Sequence, residues 1–314
     1  MKRTQQAVRV FAPATVANVA VGYDILGFAI EEPGDEIIAR WGDSPGLRIT
    51  KIHGTKKELP RDPANNTATK GALALLRDLN EEQAPIEIEI YKKMPFGSGM
   101  GSSAASAAAG VLAVNELLGK PFHQKRDLAK YAVLGESAAD GAIHGDNVIP
   151  SLVGGMVLIR DNATCEFIKL PAPKGLTVFV IYPEIEILTK DARAVLSKDV
   201  SLTQLISQTG NIASFVASLY TSDLELMKKS LTDHIIEPQR SKLIPHFYDL
   251  QKLALEAGAM NYTISGAGPS MFGFAPNTLI AEEASERITN FLHEAGIRSH
   301  VYISVINTRG AYKM

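Results

Sequence analysis

The residues best placed for chemistry lie between Lys93 and Ser106, where Gly97, Gly99 and Gly101 alternate with Ser98 and Met100 and run into Ser102 and Ser103. Glycine lets backbone approach an anion with no Cβ in the way. Upstream, Ile86, Ile88 and Ile90 alternate with Glu87, Glu89 and Tyr91, the period of a half-buried strand. Downstream, Ala107, Val111, Val114 and Leu118 recur at helical spacing until Gly119 and Pro121 stop the run. The glycines therefore sit between a strand and a helix N-terminus, whose unpaired N–H groups and positive dipole end favour phosphate. The serines add hydroxyls for phosphate or for a metal. A Rossmann fingerprint needs its third glycine three residues after the second, and a Walker A loop needs a lysine after its glycines; this stretch has neither. The plainer alternative is a Gly/Ser-rich turn that caps an Ala-rich helix.

A second stretch, Gly135 to Asn147, crowds together Glu136, Asp140, His144, Asp146 and Asn147. Mg²⁺ takes one or two carboxylates alongside phosphate oxygens and water, and composition leaves Glu136, Asp140 and Asp146 all open as its ligands. Near the start, Asn18 and Asp24 are polar groups in small, apolar company and need partners, most often as turn caps. Arg193 and Arg240 carry the fork that suits a carboxylate, although a surface ion pair is the commoner fate of a single arginine.

Pro95-x-x-x-Gly99-Met100-Gly101-Ser102-Ser103-Ala104 resembles the ATP-binding motif of the GHMP kinases, the superfamily of galactokinase, homoserine kinase, mevalonate kinase and phosphomevalonate kinase. The usual Gly-Leu reads Gly-Met, which keeps the apolar volume. Pro13 to Gly27 is similar to the N-terminal motif of the homoserine kinases, with Val16, Val21 and Tyr23 in place of serine, proline and phenylalanine. Thr263 to Gly273 resembles the third GHMP motif, which supports the phosphate and catalytic loops. The resemblance implies ATP binding by Pro95, Gly97, Ser98, Gly99, Met100, Gly101, Ser102 and Ser103, with Mg²⁺ on Ser102 and Glu136. It implies a catalytic set of Asn147, His144 and Glu136. Asn147 stands where galactokinases and mevalonate kinases carry an aspartate base, and an amide cannot take a proton. Direct in-line transfer follows, with Asp146 open as a base. Asn18, Asp24, Thr189, Arg193, Arg240 and Gly268 are implied to bind the substrate. The expected reaction converts ATP and L-homoserine into ADP and O-phospho-L-homoserine, a step toward threonine. The alternatives are another small-alcohol kinase of mevalonate-pathway type and a catalytically silent, metabolite-binding regulator.

The elements that must position these groups follow from pattern. Strands are expected at 7–12, ending at Pro13, and at 35–40 and 47–52; a helix is expected over 67–80 from Ala68, Ala72, Leu75, Leu76 and Leu79. A further helix is expected over 124–139, followed by a loop through Asn147. Strands at 153–159, 165–170 and 176–182 come next, then helices at 190–196, 203–220, 223–231, 245–256 and 278–295, and a last strand at 300–306. The resemblance implies an α+β, two-domain fold: a ribosomal S5 domain 2-like unit over 1–160 and a ferredoxin-like unit over 161–314.

At 314 residues, 46% apolar and 21% charged, the chain has an ordinary globular composition. A net charge of −2 without a long basic run points away from nucleic acid and anionic lipid as partners. There is no 18-residue apolar stretch, and no apolar leader follows Met1. The lone Cys165 cannot form an internal disulfide and reads as packing. A cytoplasmic enzyme with a small-molecule substrate is expected, assembled as a homodimer.

Overall fold

Alternating residues of the first ninety positions build one sheet whose inward face carries Val8, Val10, Ile37, Ala39, Ile86, Ile88 and Ile90, all buried. The computed structural model describes residues 6–140 and 144–314, without the side chains of 139 and 140. The Asp140 carboxylate and the stretch 141–143 thus lie outside the described residues.

In chain order the first unit comprises β1 (Ala7–Ala17), β2 (Leu26–Trp41), β3 (Leu47–His53), α1 (Thr67–Asp78), β4 (Ile86–Tyr91), α2 (Ser102–Leu117), α3 (Ala129–Asp140), α4 (Gly145–Val153), β5 (Met156–Asp161) and β6 (Glu166–Leu170). The second comprises β7 (Thr177–Pro183), α5 (Thr189–Ala194), α6 (Leu202–Thr221), α7 (Leu224–Ser230), α8 (Glu237–Arg240), α9 (Phe247–Glu256), β8 (Thr263–Ile264), β9 (Met271–Ala275), α10 (Thr278–Glu294) and β10 (Ser299–Ser304). A last strand, β11 (Tyr312–Lys313), returns to the first sheet beside β1.

The first sheet runs β11-β1-β2-β4-β3, with β5 and β6 continuing from the other end of β2. Its pairs are antiparallel except β3 with β4. β5 and β6 form one antiparallel hairpin that spans residue 160. The second sheet is antiparallel in the order β10-β7-β9-β8. Numbered within the unit this is 4-1-3-2 with helices after the first and third strands, the split βαβ arrangement of ferredoxin-like folds. Phe28 of β2 joins the two units, its ring 5.8 Å from Phe272 and 5.3 Å from Phe274 on β9.

Three expectations need correction. Pro13 does not end the first strand, because a register shift between Pro13 and Thr15 lets β1 continue to Ala17. Residues 26–34 are strand as well, a stretch to which the sequence reading assigns no element. The segment after His144 is helix α4 rather than loop, hidden by Pro150 inside it. At the start of the predicted 124–139 helix, a 3₁₀ turn at Lys125–Leu128 precedes α3.

α1, α2 and α3 approach through glycines. A Cβ at Gly110 of α2 would lie 1.7 Å from the Ala68 carbonyl oxygen of α1, and one at Gly71 of α1 2.1 Å from that of Tyr131. Alanine is the better helix former by about 1 kcal/mol, but overpacking costs about 1–3 kcal/mol. Sterics win at this spacing, so Gly110→Ala is expected to lower the urea midpoint with an unchanged slope. A raised midpoint would show that the helices part without strain.

Candidate active site

The glycine loop is held at three successive carbonyls, from β1 and from the turn between β8 and β9. Thr15 N–H donates to Met100 O at 3.1 Å, Ser270 N–H to Ser98 O at 3.0 Å, and Ser265 Oγ–H to Gly99 O at 2.7 Å. Gly99 and Gly101 take φ of 77° and 69°. A Cβ at Gly101 would lie 2.2 Å from Thr15 Oγ1 and 2.9 Å from Asn147 Oδ1, and one at Gly99 would lie 2.7 Å from the carbonyls of Ser265 and Gly268. Only glycine fits either place. Gly101 is also the N-cap of α2 and brings no side-chain cap, so the first-turn N–H groups are open to an anion. Of the eight residues expected at ATP, Gly97, Ser98, Gly99, Gly101, Ser102 and Ser103 line a cleft of about 760 Å³, whereas Pro95 and Met100 do not. Met100 is core.

Beneath the loop lies a buried ion pair that pattern reading missed. Asp35 and Lys92 bond directly, and Asp35 Oδ2 also accepts from Ser102 Oγ and Ser106 Oγ, each at 3.0 Å. The Lys92 ammonium donates to Ser106 Oγ at 2.7 Å and to Ser102 O at 2.8 Å. Ser102 therefore points down to Asp35, away from the position expected for it beside Glu136. Ser103 takes that position, its hydroxyl 2.5 Å from Glu136 Oε1. The signal was present in the sequence: Asp35 shares parity with Ile37 and Ala39, and Lys92 with Ile86, Ile88 and Ile90, so each continues a buried face.

Asn147 lies in the first turn of α4, and Thr15 Oγ–H donates to its Oδ1 at 2.7 Å. That bond fixes the amide so that its NH₂ can donate within the cleft. His144 is the N-cap residue of the same helix; its Nε2 is 2.6 Å from Arg193 Nη2 and its Nδ1 3.5 Å from Asp24 Oδ2. Arg193 Nη1 comes within 3.8 Å of the same Asp24 oxygen. Thr189 and Arg193 project from α5 and, with Gly268, line the same cleft.

Asn18 and Arg240 are more committed than expected. Asn18 Nδ2 donates to Gly266 O at 2.8 Å while Oδ1 accepts from Asp24 N–H at 3.1 Å. Asn18, Val19 and Ala20 all have positive φ, a strained turn for side chains that rarely adopt it. Gln208 on α6 bonds Val21 O and helps to hold it. Arg240 is buried, with Nε on Ala192 O at 2.9 Å, Nη1 on Gly266 O at 3.0 Å and Nη2 on Tyr23 Oη at 3.3 Å, its guanidinium 4.9 Å from the Tyr23 ring centre. Both residues hold the turn that carries Asp24, and both also face the cleft.

Asp146 is buried at the cleft wall. Burial first, and then the Asp24 charge, push its carboxyl up to about 7, against the pull of its own and Asn147's backbone N–H groups and of Arg193. Among the described residues, no group of three or more His, Cys, Asp or Glu converges as a metal site.

A glycine loop opening a helix, clamped by a second glycine turn from a ferredoxin-like unit, defines a GHMP kinase. The family models agree: GHMP kinases N terminal domain matches residues 66–155 and GHMP kinases C terminal matches 215–294. The chain is 42% identical to a homoserine kinase of Chlorobium phaeobacteroides (strain BS1), over 96% of this chain and 97% of that one. It is 39% identical to a homoserine kinase of Xylella fastidiosa (strain M12), over 98% and 94%. The crystal structure of homoserine kinase from Cytophaga hutchinsonii superposes with a TM-score of 0.96 at 44% identity, covering 100% of this chain and 99% of that one. This chain belongs to the homoserine kinase family.

The Thr15 contact gives a test of how Asn147 is held. Thr15→Val keeps the shape and removes the donor, leaving Asn147 Oδ1 short of a bond worth about 1 kcal/mol, so kcat is expected to fall about fivefold to tenfold. Thr15→Ser should restore it, with circular dichroism unchanged throughout. Equal losses in both variants would mean that the methyl packing matters and the hydroxyl does not.

Proposed function

We propose that this chain transfers the γ-phosphoryl group of ATP to the side-chain hydroxyl of L-homoserine. The observation that carries this reading is the juxtaposition, in one cleft, of the open helix terminus at Gly101 with the Asp24–His144–Arg193 cluster. An amino acid zwitterion can exchange the Asp24–Arg193 pair for two, its ammonium on Asp24 and its carboxylate on Arg193, without stranding either charge. Mevalonate has no ammonium for Asp24, and a binding-only regulator has no use for the Ser103–Glu136 pair.

The donor set suits Mg²⁺, since one carboxylate and one hydroxyl leave its other positions to phosphate oxygens and water. Glu136 and Ser103 would hold it, with Ser102 kept to its Asp35 contact. Bound there it would neutralise charge on the transferring group. The homoserine oxygen attacks the γ-phosphorus in line as the bond to ADP breaks, and its hydroxyl proton passes to an oxygen of the transferred phosphoryl group and from there to solvent. The N–H groups of α2 and the Asn147 amide stabilise the charge that spreads over the phosphoryl oxygens. The apolar residues Leu202, Leu205, Ile206 and Tyr220, exposed along α6, support pairing of two copies. Cys165 as sole cysteine suits a reducing, cytoplasmic setting.

Purified protein with Mg-ATP should phosphorylate L-homoserine well above L-serine, mevalonate or galactose; equal turnover of mevalonate would sink the assignment. Arg193 tests the carboxylate contact more cleanly than Arg240, whose removal also frees Gly266 and Ala192. Arg193→Leu is expected to lower kcat/KM for L-homoserine about tenfold to a hundredfold, the equivalent of about 1.5–3 kcal/mol. KM for ATP should hold.

Ser103→Ala should raise the Mg²⁺ concentration needed for half-maximal activity more than Ser102→Ala does. The reverse order would return the metal contact to Ser102.

Asp146 separates direct transfer from base catalysis. With direct transfer, Asp146→Asn keeps kcat within about tenfold of wild type, whereas loss of a general base costs about 10²–10⁴. The same variant reads the carboxyl's environment. Its folded pKa, about 7, exceeds the ordinary 3.8, so between these values the native state holds the extra proton and stability falls as pH rises. Asp146→Asn should flatten the melting temperature across that window; an unaltered slope would mean that Asp146 titrates normally.

A further inference from the structure

A second cleft, of about 360 Å³, shares no residue with the active site. It lies where β11 passes the C-terminal end of α2, the opposite end of the helix whose N-terminus opens at the phosphate loop; sixteen residues put the two about 24 Å apart. Lys120, Lys125, Arg309 and Lys313 line it, against one carboxylate, Glu116. Glu116 is already 3.8 Å from the Lys120 ammonium.

Lys125 sits deepest in this charge imbalance. Its ammonium donates to Arg309 O at 2.5 Å, and the Arg309 guanidinium stacks 3.6 Å from the Tyr312 ring centre, leaving its edge free to point into the cleft. Burial first, and then the charges of Arg309, Lys169 and Lys120, lower the Lys125 amine to about 8, and Glu116 opposes them only weakly. The chain as a whole is acidic, at −2, so this cluster is no sample of a generally basic surface. Cations near a helix C-terminus do gain from its dipole, but that field is worth less than about 1 kcal/mol at an exposed end and falls off within one turn. It does not account for Lys120, Lys125 and Arg309 gathered around one concavity.

We propose that this cleft binds a small multivalent oxyanion, a metabolite bearing two or more phosphate or carboxylate charges, held by Lys120, Lys125 and Arg309. The volume suits such a ligand and is small for a nucleotide.

The local amine supplies the test. Full-length protein is acetylated briefly with a water-soluble acetyl ester at neutral pH and fixed ionic strength, and the rate at each lysine is read by peptide mass spectrometry. Lys252, exposed on α9, is the internal control. Inorganic pyrophosphate or tricarballylate at millimolar concentration is expected to slow acetylation of Lys125 about tenfold, as a one-unit rise in its pKa requires, and to leave Lys252 unchanged. Protection by pyrophosphate alone identifies a phosphate ligand, and by tricarballylate alone a carboxylate one. Arg309→Gln, at an exposed side chain, should abolish the protection. Three results overturn the proposal: no protection by either anion, equal slowing at Lys252, or protection that persists in both Arg309→Gln and Lys120→Gln.

Discussion

The fully buried Asp35 carboxylate fixes the geometry on which the site depends. It accepts the Lys92 ammonium, the hydroxyls of Ser102 and Ser106, and the Lys93 N–H at 2.9 Å. Asp35 stands on β2 and its partners lie just beyond the end of β4 and in the first turns of α2, so one side chain joins the sheet to the helix that opens at the glycine loop. Exposed ion pairs contribute about 0–1 kcal/mol. Breaking a buried pair by deleting one member costs about 3–5 kcal/mol, because the other charge is left without compensation. The arrangement is therefore a constraint on position more than a source of stability. Ser102 is drawn down, which leaves Ser103 to face Glu136.

The second constraint is the interlock between units. The turn from Ser265 to Ser270 reaches the phosphate loop through Ser98 and Gly99, and reaches β1 through Gly266 N–H on Ala17 O at 3.2 Å. Asn18 and Arg240 both bond Gly266 O, one from each unit. Thr189 and Arg193, which line the cleft from the second unit, are thereby held in register with Asp24 and Asn147 on the first. Phe28, Phe272 and Phe274 supply apolar contact behind the polar seam, where aromatic pairs add about 0.5–1.5 kcal/mol beyond burial.

The sequence made much of this legible, and its failures share a cause. Period-2 and helical spacing located β4, α1, α2 and α10 to within a few residues, because apolar residues recur along each at the period of its own geometry. The glycine loop was readable because its residue types carry the constraint themselves. What pattern could not supply was pairing at distance: Thr15 with Asn147, Ser103 with Glu136, and Arg240 with two carbonyls and Tyr23. Pro13, read as a strand end, lies at a bulge inside β1, and the helical spacing of α4 is interrupted by Pro150. The parity of Asp35 and Lys92 with buried apolar residues places both on the buried face, but parity alone does not say that they meet.

The return of β11 to β1 has a consequence for how the molecule is made. Val10 pairs with Lys313 and Phe11 with Tyr312, and Met314 N–H reaches Arg9 O at 2.9 Å. The edge at residues 9–11 thus waits for residues 312–314. During synthesis the ferredoxin-like unit has all its strands before the sheet that emerged ahead of it is closed. The usual order, in which domains mature one after another from the N-terminus, is inverted for this edge. Until residue 313 leaves the ribosome, β1 is paired with β2 on one side only and its outer edge at Val10 and Phe11 is open to other strands.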